Sequence, residues 1–148
     1  MSVRGWSISM AILAALSAGA TTARAADEED LPATLRAVLE KNLDAYDSDD
    51  LEATAKTVHT RSPAYEASKA AAAEQVKEFD VDTQLVDFRY VGHDDEFAVA
   101  RAKKKTTAKP GETDFTDNTI DVIVLFHMED GVWKLWSEQV LGVDLAPK

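Results

Sequence analysis

The sequence predicts an α+β fold in which three helices come first and antiparallel hairpins follow. Between residues 31 and 79 the apolar side chains recur at intervals of three and four, the spacing of a helix with one buried face. From residue 81 onward the interval becomes two, the spacing of a half-buried strand. Asp130-Gly131, with strand-like residues on both sides, is the strongest short-range hairpin signal in the chain.

Composition limits the classes of protein. With 148 residues, 45% of them hydrophobic, and no cysteine, the chain has the size of one ordinary domain with its own core. A formal net charge of −11 argues against binding to nucleic acid or to an anionic membrane surface, because both require a basic face. The missing cysteines exclude thiol catalysis, and the three histidines lack metal-ligand spacing, so no metal or other cofactor is expected.

Residues 1–25 have the pattern of a secretory signal peptide. Arg4 supplies the positive start, the stretch from Trp6 to Ala20 carries no charge, and Ala23-Arg24-Ala25 is an Ala-x-Ala cleavage signature. The apolar run is about 15 residues, whereas a membrane-spanning helix needs about 20. We therefore expect cleavage after Ala25 and an exported protein, periplasmic or secreted, with no membrane segment after the signal is removed.

Three helices are predicted in the mature chain. An acidic tail, residues 26–30, precedes helix one, whose apolar positions are Leu31, Leu35, Val38, Leu39, Leu43 and Tyr46. Asp49 with Glu52 forms a capping-box variant that opens a short second helix. Ser62-Pro63 then starts helix three, because serine is a preferred cap and proline fits the first helical position. That helix continues to about residue 79.

Four strands are predicted after the helices, over residues 81–91, 96–107, 117–129 and 132–141, with a C-terminal tail at 143–148. A two-residue Asp-Gly turn sets Glu129 opposite Val132, and directly opposed residues share a face of the sheet. The face assigned to the core then holds Ile120, Val122, Val124, Phe126, Met128, Trp133, Leu135, Ser137, Gln139 and Leu141. The opposite face carries an apolar strip, predicted to be a homodimer interface, of Ile123, Leu125, Trp136 and Val140.

This order of elements resembles the nuclear transport factor 2-like (SnoaL-like) superfamily over residues 31–142. The resemblance is carried by three helices before a twisted sheet, by the final hairpin Asp130-Gly131-Val132-Trp133-Lys134-Leu135, and by His59-Thr60-Arg61-Ser62-Pro63. The last segment is similar to a turn of a subset of exported, uncharacterised members. The resemblance implies a cone-shaped α+β domain in which helices close one side of a curved sheet around a cavity. It does not fix the function, since the superfamily includes both enzymes and binding modules.

The sequence leaves two functions open, a binding domain and an enzyme. The first is a non-catalytic exported domain that binds a small apolar molecule or a peptide segment in the cone, since the predicted inner face of the last hairpin has no acid or base. The pocket residues would be Tyr46, Tyr65, Asn118, Ser137 and Gln139. The alternative is an isomerase, dehydratase or hydrolase with His59 as acid or base.

Three groups of polar residues have simpler interpretations. His59 and Ser62 would hold a tight turn and cap helix three, whereas His93 and His127 would be solvated. The run Lys103-Lys104-Lys105 would be a solvated strand end.

Overall fold

A computed structural model describes residues 20–63 and 65–147 of the protein, which places most of the predicted signal peptide outside the described residues. The helices are α1 (Ala20–Asp47), α2 (Leu51–Lys56) and α3 (Tyr65–Glu78). The strands are β1 (Val81–His93), β2 (Phe97–Ala108), β3 (Asn118–Glu129) and β4 (Val132–Leu145). The predicted α+β order is confirmed. Among these helices, none is both long and apolar enough to cross a membrane.

Helix α1 buries one leucine face against the sheet. Leu31, Leu35, Leu39 and Leu43 are buried, as the interval of three and four predicts. The helix begins earlier than expected, because it runs through residues 26–30, which were predicted to be a tail, and contains Pro32 in its interior. An acid followed two residues later by proline is typical of a helix start, yet the helix continues through Pro32, although an interior proline removes one backbone hydrogen bond and its ring crowds the carbonyl four residues earlier.

The connection between α1 and α2 is made by consecutive aspartates. Asp49 has a φ of 57°, the left-handed conformation in which helices commonly end. Asp50 then caps α2 by accepting a hydrogen bond from the backbone N–H of Ala53 at 2.9 Å. The predicted cap, Asp49, is therefore wrong by one residue. The Asp47 carboxylate accepts from the backbone N–H of Thr83, with oxygen distances of 2.8 and 3.0 Å, and so fixes the end of α1 to β1.

The strands form one antiparallel sheet in the order β1-β2-β3-β4. Its inner face packs on α1 through small residues of β2 and larger ones of β3, namely Ala98, Ala100, Ala102, Val122, Val124 and Phe126. Asp130 and Gly131 have φ values of 52° and 78°, as a type I′ hairpin turn requires. Strand β4 is longer than predicted, since Val143 pairs with Ile120 and Leu145 with Asn118. Residues 143–145 of the predicted tail at 143–148 are therefore strand.

Extra residues in the two edge strands interrupt the register of the sheet. Val86 and Val91 are unpaired in β1, and Trp136 and Leu141 in β4. Such bulges bend a strand and increase its twist, which suits the curvature of a cone.

The bulges of β4 also change which face Glu138, Gln139 and Val140 occupy. Glu138 and Val140 oppose the buried Val124 and Val122, whereas Gln139 opposes Ile123 on the outer face. The predicted inner position of Gln139 and the predicted outer position of Val140 are thus both wrong, because each bulge changes which face the following residues occupy.

Candidate functional site

A cavity of about 350 Å³ lies between the helices and the inner face of the sheet. This volume falls within the range of natural small-molecule sites. Part of the wall is apolar, and the larger residues of this part are Leu43, Leu51, Val58, Ile120, Leu135 and Trp136. The rest of the wall is polar, so the cavity combines the two surfaces that a small-molecule site requires.

Three of the predicted pocket residues line this cavity. Tyr46 comes from the end of α1, Tyr65 from the start of α3 and Ser137 from β4. Asn118 and Gln139 are not part of the lining. Asn118 donates from its amide to the Thr116 carbonyl at 3.2 Å, and Gln139 is exposed on the outer face.

The cavity also contains an ion pair that the sequence interpretation missed. The Lys104 ammonium of β2 contacts the Glu138 carboxylate of β4, and the side chains are 15% and 30% exposed. The cavity wall therefore does carry an acid and a base, contrary to the inner face predicted for the last hairpin. The prediction of a solvated lysine run is wrong for Lys104, although Lys103 and Lys105 are exposed.

One of these two residues had a signal in the sequence. Ala98, Ala100 and Ala102 alternate with larger residues, and continuing that interval of two places Lys104 on the inner face. Glu138 had no such signal, because its face depends on the bulge at Trp136.

Tyr46 has an unusual environment in the cavity. Its hydroxyl oxygen is buried and has no hydrogen-bond partner. Burial, followed by the negative charges of Asp47 and Asp49, raises the pKa of the Tyr46 phenol to about 12. The phenol thus stays protonated at neutral pH and has an O–H group to donate.

His59, the predicted catalytic candidate, lies outside the cavity lining. It is fully buried, and its Nδ1 accepts from the backbone N–H of Arg61 at 3.0 Å. Its own backbone N–H donates to the Leu135 carbonyl at 2.8 Å. Burial lowers the pKa of the imidazole, although the carboxylate of Glu129, 3.4 Å from Nδ1, opposes that shift. The observed geometry is that of a histidine holding a turn.

The segment around His59 docks on the free edge of β4 at the bulge. The Leu135 N–H donates to the Thr57 carbonyl at 2.9 Å, and the Ser62 hydroxyl donates to the Trp136 carbonyl at 2.5 Å. Because Trp136 is the bulged residue, these contacts fix the point at which Glu138 turns toward the cavity. The segment His59-Thr60-Arg61-Ser62-Pro63 thus contributes to the shape of the cavity wall without lining it.

Four rings pack together beside this bulge. The ring centroids of His59 and His127 lie 4.9 and 4.8 Å from that of Trp136, and Phe97 lies 4.3 Å from His127. His127 is half-buried rather than solvated as predicted, because it packs in this cluster. Trp136 is also half-buried and lines the cavity, and its ring packs against Phe97 and His127; its predicted part in a dimer interface stays a prediction.

Glu129 connects the segment after His59 to the final hairpin through an ion pair and hydrogen bonds. It accepts from the Lys134 ammonium at 2.5 Å and from the backbone N–H of Thr60 at 3.1 Å. Hydrogen bonds from Lys134 and Thr60 lower the pKa of Glu129 to about 2. Within residues 20–63 and 65–147, no group of three or more His, Asp or Glu side chains is arranged to hold a metal ion.

Helices that close one side of a curved antiparallel sheet around a cavity define the nuclear transport factor 2-like cone, and solved structures share this fold. A protein of unknown function with a cystatin-like fold from Nostoc punctiforme aligns with a TM-score of 0.62 and 11% identity, over 77% of this chain and 90% of that one. An NTF2-like family protein from Streptomyces avermitilis has the same TM-score and identity, over 76% and 95%. The protein Aln2 from a Streptomyces species aligns with a TM-score of 0.65 and 16% identity, over 75% and 89%.

Sequence comparison gives the family. The family described as anti-sigma-I factor RsgI9, C-terminal domain, matches residues 37–145, and the chain belongs to it. Among curated proteins, none is significantly similar in sequence. The structural similarities are all at low identity and therefore establish the fold alone.

Proposed function

We propose that this protein is an exported domain that binds a small molecule in its cone cavity without transforming it. The observation that carries the proposal is the cavity of about 350 Å³, partly apolar, with a few polar groups directed at one space. Export is supported by the pattern of residues 1–25. The buried, unpartnered hydroxyl of Tyr46 adds support, because burying such a group costs free energy that a ligand acceptor would recover.

Native mass spectrometry of the exported protein tests this proposal. We expect a bound small molecule that is absent from the Ala55→Trp variant, because Ala55 lines the cavity and an indole there would fill it. Ala53→Trp is the matched control, since Ala53 lies on the same short helix and does not line the cavity. Retention of the molecule by Ala55→Trp, or loss of it by both variants, would contradict binding in the cavity.

A second candidate function is acid–base catalysis on a small molecule, in the isomerase, dehydratase or hydrolase class. One observation favours it: Lys104 and Glu138 bring an ammonium and a carboxylate into the cavity together. A carboxylate there could accept a proton from a substrate while the ammonium stabilises the developing negative charge. His59 is not available for this role, because it does not reach the cavity. Turnover that Glu138→Gln abolishes would establish the enzyme and contradict the non-catalytic proposal.

We also propose that two copies pair through the outer face of the sheet. Val99, Ile123 and Leu125 form a half-buried apolar patch there, opposite the face that packs on α1. Arg101 and Asp121 form an ion pair beside it. Apolar patches with a charged margin are typical of contact surfaces between subunits.

A further inference from the structure

The cavity wall carries more positive than negative charge, although the chain as a whole is acidic. Lys69 and Lys104 line it together with one carboxylate, Glu138, whereas the chain has a formal net charge of −11. An excess of cations in a recess of an acidic protein favours an anionic ligand.

The donors in the wall also outnumber the charged acceptors. The Lys104 ammonium has three N–H donors, of which the contact with Glu138 uses one. That contact holds the ammonium in place and leaves its remaining donors for another oxygen. The Tyr46 hydroxyl, which has no partner, is a further donor in the same cavity.

The apolar part of the cavity wall can pack against the apolar part of a ligand. Leu51, Ile120 and Trp136 line the cavity alongside the donors. A ligand with a polar head and an apolar body would therefore satisfy both parts of the wall.

We propose that the ligand of this cavity is a small organic acid. Its carboxylate would accept hydrogen bonds from the Lys104 ammonium and the Tyr46 hydroxyl, and its apolar body would pack against Leu51, Ile120 and Trp136. This inference rests on the proposed binding function and names its ligand class. An amine would meet two lysines and a carboxylate that is already paired, whereas a neutral head would bring no negative charge to pair with the Lys104 ammonium.

Calorimetric titration of the exported protein with matched probes tests the ligand class. The probes are 1-naphthoate, its neutral amide 1-naphthamide and the cation 1-naphthylmethylamine, with benzoate and biphenyl-4-carboxylate as smaller and larger acids. We expect at least one acid to bind, the naphthoate about tenfold or more tighter than the amide, and the amine not at all.

Three variants separate the proposed contacts from general charge effects. Lys104→Met and Tyr46→Phe should each weaken the binding of the acid about tenfold, and should weaken the binding of the amide by a smaller factor. Tyr46→Phe removes one oxygen and keeps the ring, so it remains informative if Lys104→Met disturbs the fold. Lys105→Met is the matched control: it removes the same charge from an exposed neighbour on the same strand and should change nothing.

Different results would overturn different claims. Equal affinity for acid and amide, or an equal effect of Lys104→Met and Lys105→Met, overturns the organic acid and leaves a binding cavity intact. Failure of every acid in the series also overturns the organic acid. The binding function itself fails only if the cavity-filling variant Ala55→Trp retains the molecule that copurifies, or if Ala53→Trp loses it as well.

Discussion

Removing the Tyr46 hydroxyl should not destabilise the empty protein, because that hydroxyl makes no hydrogen bond within the described residues. A buried polar group without a partner costs roughly 1–3 kcal/mol relative to its hydrated state. Tyr46→Phe removes this cost and keeps the ring, whose contacts supply most of the packing. We expect the free energy of unfolding to rise by about 1 kcal/mol and the melting temperature by about 3–5 °C.

Urea unfolding of the ligand-free protein measures this change, with the slope of the transition confirming that the same surface unfolds. Tyr90→Phe is the control, since it makes the same chemical change where the hydroxyl does have a partner, the Nδ1 of His93. That variant should be equally or less stable than the unmodified protein. A loss of more than about 1 kcal/mol in Tyr46→Phe would show that the hydroxyl has a partner in solution. The Tyr46 hydroxyl would then not be a vacant donor for a ligand.

Three further predictions concern assembly, pH and processing. Leu125→Glu should convert a dimer into a monomer, because it puts a charge in the apolar outer patch; light scattering that finds the unmodified protein monomeric at micromolar concentration would exclude the dimer. Stability should fall as the pH drops below 6.5, since unfolded His59 then takes up a proton that the buried imidazole resists. It should fall again between pH 4.5 and about 2, as Glu129 loses the charge that Lys134 and Thr60 stabilise. Glu129→Gln should flatten that second decline in acid-unfolding curves, and an unchanged profile would contradict it. Finally, N-terminal sequencing of exported protein should begin at Ala26, and an intact Met1 on the mature protein would contradict cleavage there.

The secondary structure could largely be predicted from the sequence because its signals are local. The intervals of three and four in α1 predicted the buried face of Leu35 and Leu39, since a helix places such residues on one side whatever they pack against. Asp130-Gly131 predicted the final turn for the same reason, because both residues tolerate the positive φ that it needs. The start of α1 was not predicted correctly, because Pro32 favours the first turn of a helix and the folded chain continues the helix through it.

The polar wall of the cavity was decided mainly by the tertiary structure. One bulge at Trp136 moves Glu138 to the inner face and Gln139 to the outer face, which reverses the predicted roles of these residues. The sequence of β4 does not mark that bulge, because an extra residue shifts the alternation by one position, and the three polar residues after Trp136 fit either face. The bulged carbonyl is instead held by Ser62, a residue 74 positions earlier in the chain. Only the folded chain brings these residues together, so Glu138 could not be assigned to the cavity wall from strand periodicity, whereas Lys104 could.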